Sequence, residues 1–440
     1  MTSLNYQKVE LLREQARKAA EIIKKHEFVR IFTHYDADGI SAGAIIAKAL
    51  IRLNKNFQIT FLKGLNETFE YERDELVVFL DMGSGYPDVV SNVDADVVVI
   101  DHHIPIDRIE PKRRFAHVNP HLAGIDGTYE LSASGAAYFV AKELGKNEDL
   151  SSIAVVGMIG DKQRIKGANA EIVKEGERFE CIEQRVGLNL HSGKVREVLM
   201  MSLEPYLDFY GKEGELEEFL KRAGIDGDSE IDDLSLEEMH RLADAIALRI
   251  LKMGAYISLI DNVIGKKLWL SNMPIKNALM LTDIVNACGR ASAMSIGLAI
   301  LIGDSSYLKR AVDVYERYTT EILEELAKRR NDVKEGFCIR YIVMENAPST
   351  SPIATIYSRY LYPDKPLIVV NVKNDRVKVS ARANEKIAER LNLAEVMRLA
   401  AEKVGGRGGG HRVAAGANIS PDRVEEFLKE VDRLCCAMLA

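Results

Sequence analysis

The sequence predicts an α/β protein in three parts. These are an N-terminal domain built on a parallel sheet (1–175), a helical insert with a long connector helix (176–335), and a smaller C-terminal α/β domain (336–440). Three observations lead there. Short apolar runs alternate with helical patterns as far as residue 161, as in parallel sheets covered on both faces. Strand signals then fade, and the chain reads as helix. Strand-like runs return beyond 336 and lead into a glycine cluster.

In the first part, "FVRIFTH" reads as a strand ending at His34, and "GISAGAIIAKALIRLN" as a helix with small and apolar residues on one face. "FQITFL", "LVVFLDMG" and "ADVVVIDHH" are three more strands, the last two ending at Asp81 and at Asp101–His102–His103. "SGAAYFVAKELG" and "SSIAVVGMIGD" are helices, the second closing at Asp161. In the insert, Ser235 and Glu238 have the spacing of a capping box. The connector, about 307–333, carries Ala311, Val314, Tyr318, Ile322 and Leu326 at helical spacing. In the last part, "CIRYIVMEN", "PLIVVNV" and "RVKVSAR" are strands, and Ser420–Pro421 opens a final helix.

Composition narrows the function classes. A chain of 440 residues is too long for one ordinary domain, and 47% hydrophobic residues supply substantial cores. A formal net charge of −7 argues against coating nucleic acid by bulk charge, but it allows a local basic groove. The N-terminal stretch reads as an amphipathic helix without a signal-peptide core, and the most apolar run, 291–303, is too short to span a bilayer. The expectation is a cytoplasmic protein that does not enter membranes. The five cysteines, Cys181, Cys288, Cys338, Cys435 and Cys436, lack zinc-site spacing and read as reduced thiols.

The chemistry gathers at the strand tips. Ligands of open parallel sheets lie outside the carboxyl ends of the strands. Here three strands end in metal-capable side chains: His34, Asp36 and Asp38; Asp81; and Asp101, His102 and His103. Asp161 follows an apolar helix. Carboxylates crowded together without cations raise one another's pKa, and divalent cations remove that conflict. Aspartate with imidazole and no cysteine favours Mn²⁺, with Mg²⁺ as the second choice. Two such ions, about 3.5–4 Å apart, would activate water and hold a phosphoryl oxygen.

"THYDADG", "LDMG", "DHH" and "IGD" resemble, in order, the four motifs of the DHH phosphoesterases, over about residues 25–175. "GGGHRVAAG", with "SAR" upstream, resembles the DHH-associated domain over about 336–440. "NACGR" (286–290) resembles the corresponding segment of RecJ exonucleases. The acidic insert, about 176–275, matches no motif, but an insert at this place resembles the archaeal RecJ-like nucleases that associate with GINS. The resemblance implies an active site in the cleft between the two α/β domains. It implies that His34, Asp36, Asp38, Asp81, His102 and Asp161 bind metal, with Asp81 bridging. It also implies that His103 touches the scissile phosphate and that Asp101 orients the site. The spacing of His34 to Asp36 is shorter than in the DHH pyrophosphatases.

For substrate binding, Ser380 and Arg382 resemble a pair that holds phosphate in RecJ, and His411 would sit beside them. Gly408, Gly409 and Gly410 let backbone amides approach a phosphate closely. Arg290 is a further phosphate candidate. Lys373, Arg376, Lys378, Arg407 and Arg412 would make this face basic, and Lys162, Arg164 and Lys166 would extend it. Tyr357, Tyr360 and Tyr362 fit a packed seam better than a stacking platform.

The function expected is a two-metal exonuclease acting on single-stranded DNA or RNA in replication or repair. A GINS-type partner would bind the acidic insert. The alternatives are a phosphodiesterase for short oligonucleotides, bisphosphonucleotides or cyclic dinucleotides, and a replication scaffold without catalysis. An aminoacyl-tRNA editing role would rest on the glycine motif alone, and the DHH half argues against it.

Overall fold

A computed structural model describes residues 3–373 and 376–439. The chain forms two compact units, each assembled from two stretches: 1–185 with 266–316, and 186–265 with 317–440. The stretch expected as one insert, 176–335, is therefore shared between them.

The first unit opens with α1 (Ser3–Lys24), β1 (Phe28–His34), α2 (Ala37–Arg52), β2 (Asn56–Leu62) and β3 (Leu76–Leu80). It continues through α3 (Pro87–Asn92), β4 (Asp96–Ile100), β5 (Phe115–Val118), α4 (Ala133–Leu144), α5 (Ser151–Gly160) and α6 (Gly167–Arg178). The sheet order is β2-β1-β3-β4-β5, and all pairings are parallel. The sequence reading lacked β5, a short strand that follows the basic run "PKRR". Every residue of β3 and β4 is buried. Burying each valine, leucine or phenylalanine is worth about 1.5–3 kcal/mol relative to exposure. That burial, with pairing on both edges, makes the tips of these two strands rigid mounts.

The chain leaves this unit through β6 (Ile182–Leu188). It enters α7 (Val195–Met200), α8 (Glu213–Ala223) and α9 (Leu236–Lys252), and returns through β7 (Ile264–Leu270). The strands β6 and β7 form a two-stranded sheet where helix alone was expected. Ser235 and Glu238 form the capping box of α9. Next come α10 (Ala278–Arg290), α11 (Met294–Ile302) and the connector α12 (Leu308–Arg329). Ala311, Val314, Ile322 and Leu326 on this connector are buried, which accounts for its apolar spacing.

The second unit carries β8 (Lys334–Glu335), β9 (Arg340–Glu345), α13 (Thr350–Ile356), β10 (Leu367–Lys373) and β11 (Arg376–Arg382). They are followed by α14 (Glu385–Ala388), α15 (Leu393–Lys403), β12 (Arg407–Gly410), β13 (Ala414–Ile419) and α16 (Val424–Leu439). Its sheet is mixed, in the order β12-β13-β11-β10-β9-β8, with β9 and β10 parallel and the other pairings antiparallel. Cys338 and Cys436 form a disulfide, with Cα atoms 5.3 Å apart. This corrects the reading of all five cysteines as thiols; Cys181, Cys288 and Cys435 are free and buried. The pair is separated by 98 positions, so only folding reveals it. No helix among the described residues is long and apolar enough to cross a membrane.

Candidate metal centre

The loop after β1 starts α2, and one aspartate does two jobs there. Asp36 is the N-cap, and its Oδ1 accepts from Gly39 N at 3.1 Å. Its other oxygen, Oδ2, lies 3.0 Å from His34 Nδ1. Asp38, two residues on and fully buried, is gripped by another helix. Its oxygens accept from Ala133 N at 2.7 Å and Ser134 N at 2.9 Å, the first amides of α4.

Asp81 follows β3 with φ at +57°, a left-handed conformation that costs about 1–3 kcal/mol in a side-chain-bearing residue. Its amide still bonds Ile100 O, so the sheet holds the strain in place. The carboxylate points two ways. Oδ2 lies 3.3 Å from His34 Nδ1, and Oδ1 lies 3.4 Å from His102 Nε2. His102 Nε2 is also 3.0 Å from Asp161 Oδ2 and 3.9 Å from Asp38 Oδ2.

The groups behind these side chains limit what each can do. His102 Nδ1 donates to Gly127 O at 2.8 Å, which leaves Nε2 aimed at the carboxylates, the arrangement of a metal-binding imidazole. Asp101 accepts from His102 N, His103 N and His103 Nδ1 on one oxygen and from Ser84 N on the other. It orients its neighbours. His103 is half exposed, with Nδ1 held 2.8 Å from Asp101. By contrast, His34 Nδ1 and Asp81 Oδ1 are buried and make no hydrogen bond among the described residues. Unsatisfied buried acceptors of this kind are rare and costly, and a cation satisfies both.

Electrostatics agree. Burial, then the Asp81 charge, pushes Asp38 up to about 6. Burial, then Asp38, raises Asp161 well above the carboxylate range. Burial opposes charge on His34 and His102, yet the surrounding carboxylates outweigh it, and both lie well above the ordinary imidazole value. For His103 the Asp101 bond outweighs burial and lifts it to about 9. Without a cation, the cluster draws in protons instead. Three overlapping sets have ligand atoms within 4.8 Å of one another: His34–Asp36–Asp81, Asp38–His102–Asp161 and Asp81–His102–His103.

Two regions match known family models. Residues 28–160 match the N-terminal domain of the DHH family, and 340–436 match the DHHA1 domain. An uncharacterized protein of Methanocaldococcus jannaschii is 32% identical over 96% of this chain and 96% of its own. The chain belongs to the DHH superfamily and carries a C-terminal DHHA1 domain.

Among other DHH relatives, the single-stranded-DNA-specific exonuclease RecJ of Thermus thermophilus is 27% identical over 52% of this chain and 37% of its own. A manganese-bound crystal structure of that RecJ superposes with a TM-score of 0.61 at 19% identity, covering 97% of this chain and 55% of RecJ. This chain thus spans about half of that RecJ. CDC45 from Entamoeba histolytica superposes with a TM-score of 0.64 at 11% identity, covering 98% of this chain and 99% of its own. These superpositions show a shared RecJ-like fold.

Outside the ligand cluster, the DHH unit contains residues that the motif reading missed. Asn119, two residues into "HVNPH", donates to Ser84 Oγ and His103 O, and so holds the loop after β4. Asn286 on α10 accepts from Ala37 N at 3.0 Å. Gly289 has its α-carbon so close to the loop that an added Cβ would lie 1.9 Å from Tyr35 O. Burial raises the Asp36 pKa, but His34, then the Gly39 amide, then Arg290 on the same helix outweigh it and lower the value.

The remaining predicted residues are in the DHHA1 unit. Ser380 pairs with Gly416 and Arg382 with Ala414 in the β11–β13 register. Ser380 Oγ contacts Thr350 Oγ1 at 2.7 Å, and Arg382 bonds Ser351 Oγ and Thr355 Oγ1. Gly408, Gly409 and Gly410 form β12 rather than a loop. A Cβ on Gly408 would strike Met397 O of α15 at 2.2 Å, whereas Gly409 faces open space. His411 turns the chain into β13 through Ala414. Arg412 is committed elsewhere, donating to Ala388 O and Glu389 O. Tyr357 and Tyr360 are buried, and Tyr362 bonds Arg330 O, so none forms a stacking surface.

Proposed function

We propose that the protein is a metal-dependent phosphodiesterase, a RecJ-like exonuclease that hydrolyses single-stranded DNA or RNA to mononucleotides in replication or repair. The observation that carries this reading is the pair of unsatisfied buried acceptors, His34 Nδ1 and Asp81 Oδ1, inside a cluster whose outer partners are satisfied. His34 and Asp36 would hold one divalent ion, Asp38, His102 and Asp161 a second, with Asp81 shared. Bound Mn²⁺, or Mg²⁺ as the second choice, supplies Lewis-acid polarisation of a phosphoryl oxygen and a water of lowered pKa. The chain's own residues do the positioning. Asp101 fixes the His103 ring, and His103 offers its other nitrogen as a donor to the phosphate. Arg290 stands beside Asp36 as a second cation for the phosphate. In the DHHA1 unit, Ser380, Arg382 and the Gly408–His411 segment would grip a strand end. The acidic insert, which would repel nucleic acid, would offer a surface for a GINS-type protein partner, and it leaves Leu236, Leu248, Leu251 and Ile257 individually exposed.

The test uses single strands labelled at the 5′ or 3′ end, as DNA and RNA, with Mn²⁺ and with Asp81→Ala as control. Stepwise release of mononucleotides, lost in the variant, is the expected result. Cleavage limited to oligomers of a few nucleotides would replace this reading with a small-substrate phosphodiesterase. No cleavage by folded protein with any divalent metal would replace it with a scaffold.

A further inference from the structure

Two loops of the first unit, 126–130 and 161–166, run side by side at the edge of the metal centre. Their meeting point is Gly127 O. It accepts from His102 Nδ1 at 2.8 Å and from Gln163 Nε2 at 2.8 Å. Beyond it, Arg164 N donates to Tyr129 O at 2.9 Å. Buried Asn169 closes the clasp: its Nδ2 donates to Gln163 Oε1 and Arg164 O, and its amide to Glu130 O. The backbone beneath Arg164 is therefore held by Tyr129 O and Asn169, beside the carbonyl that accepts from His102.

On this base, the Arg164 guanidinium lies over the Tyr129 ring, with Cζ 4.8 Å from the centroid. Tyr129 is 46% exposed, a large share for an aromatic ring of this kind. Arg164 is exposed too, and among the described residues no carboxylate comes within ion-pair distance of it. Most arginines in this acidic chain have such a partner. Here a cation is held in place by an aromatic face and left uncompensated, three residues after Asp161. A guanidinium so arranged keeps its N–H edges for an anion, and arginine suits the planar oxygens of a phosphate.

We propose that Arg164, stacked on Tyr129, is a phosphate clamp that binds an internucleotide phosphodiester next to the one cleaved. This rests on the nuclease reading above and adds a contact within the first unit. Arg164 touches substrate, and Tyr129 is a positioning residue.

The experiment measures binding of a fluorescent 12-nucleotide single strand by the full chain, with EDTA present so that nothing is cut. Arg164→Ala should weaken binding roughly three- to tenfold and reduce the slope of log affinity against log salt by about 0.7, the value for one phosphate on a single strand. Tyr129→Ala should give a smaller loss with the slope retained, because the charge stays while its platform goes. Arg178→Ala, at the far end of α6 with a 74% exposed side chain, serves as the charge-matched control and should move neither quantity. An abasic strand of equal length separates phosphate from base. The Arg164→Ala loss should persist on it, and its disappearance would show that the pair reads a base and overturn the clamp. Equal behaviour of Arg164→Ala and Arg178→Ala would also overturn it. A parallel digest with Mn²⁺ tests the nuclease reading separately. Arg164-dependent binding without cleavage would remove that reading and leave Arg164 as a phosphodiester contact of a strand that is bound and not cut.

Discussion

The two units treat buried polarity in opposite ways. In the DHH unit, His34, Asp36, Asp38, Asp81, His102 and Asp161 are packed together with acceptors left over, and Asp81 is held in a left-handed conformation. In the DHHA1 unit, several charged groups find partners within the chain. Arg382 lies across two hydroxyls, Arg412 across two carbonyls, and Glu430 between Lys403 and Arg433. A disulfide adds a covalent tie. The difference teaches that one unit crowds its acids beside unsatisfied acceptors, where a cation would relieve them, whereas the charged groups just named in the other are paired within the chain.

The largest expected effect separates function from stability within the first unit. Asp81→Ala should cut nuclease activity by about a thousandfold or more, yet leave the metal-free protein about as stable, because it removes one of several carboxylates that crowd and repel one another. Asp101→Ala should lose both, since it strands Ser84 N, His102 N and His103 N without acceptors, at a cost of about 3 kcal/mol. Urea unfolding beside a cleavage assay would show it; equal stability losses in the two variants would erase the distinction.

Next in size is the covalent tie. Reducing Cys338–Cys436 opens a loop of 98 positions and should cost the DHHA1 unit about 4–5 kcal/mol by chain entropy. Hydrogen exchange, read peptide by peptide, should then rise in α16 and β9 and stay level in β3 and β4. A uniform rise would mean that the two units unfold as one.

Metal should act in mirror image. Saturating Mn²⁺, at about a hundred times its dissociation constant, should stabilise the protein by about 2.7 kcal/mol, with protection gained in the DHH unit. The effect depends on pH with a definite sign. Asp38 is raised to about 6 in the folded, metal-free state, against about 3.9 unfolded. Its contribution is therefore present in full below about pH 4 and lost as pH rises through about 6. Metal requires the ionised form, so the Mn²⁺-induced shift should grow over that same interval. A shift in melting temperature that is flat from pH 5 to 8 would argue against ligation by Asp38. The smallest effect is Ser235→Ala, which removes the α9 capping box and should cost about 1 kcal/mol by urea unfolding, without touching cleavage.

How much of this was legible in the sequence follows from the same physics. Parallel strands buried on both faces must be apolar throughout, so β3 and β4 announce themselves, and a charged residue ending such a run stands out. The side chains predicted at those tips do come together. Strands with one wet face hide better: β6, "IEQRVGL", alternates irregularly and reads as helix. The glycine strand β12 has almost no side chains, so its propensity says loop while its neighbours say sheet. Residues that act through the ligands, such as Asn119, Asn286 and Gly127, bear no chemical mark, because each is chosen for reach or closeness. The path of 266–316 back to the first unit is a long-range packing outcome that local pattern cannot carry.

That return path has a consequence in time. The loop bearing Asp36 receives its last wall from α10, where Gly289 lies against Tyr35 and Asn286 holds Ala37. During synthesis, every ligand of the cluster leaves the ribosome well before that helix does. A nascent chain halted between residues 161 and 290 carries all six of these side chains but lacks the wall that holds the loop of two of them. Birth order itself delays the assembled cluster.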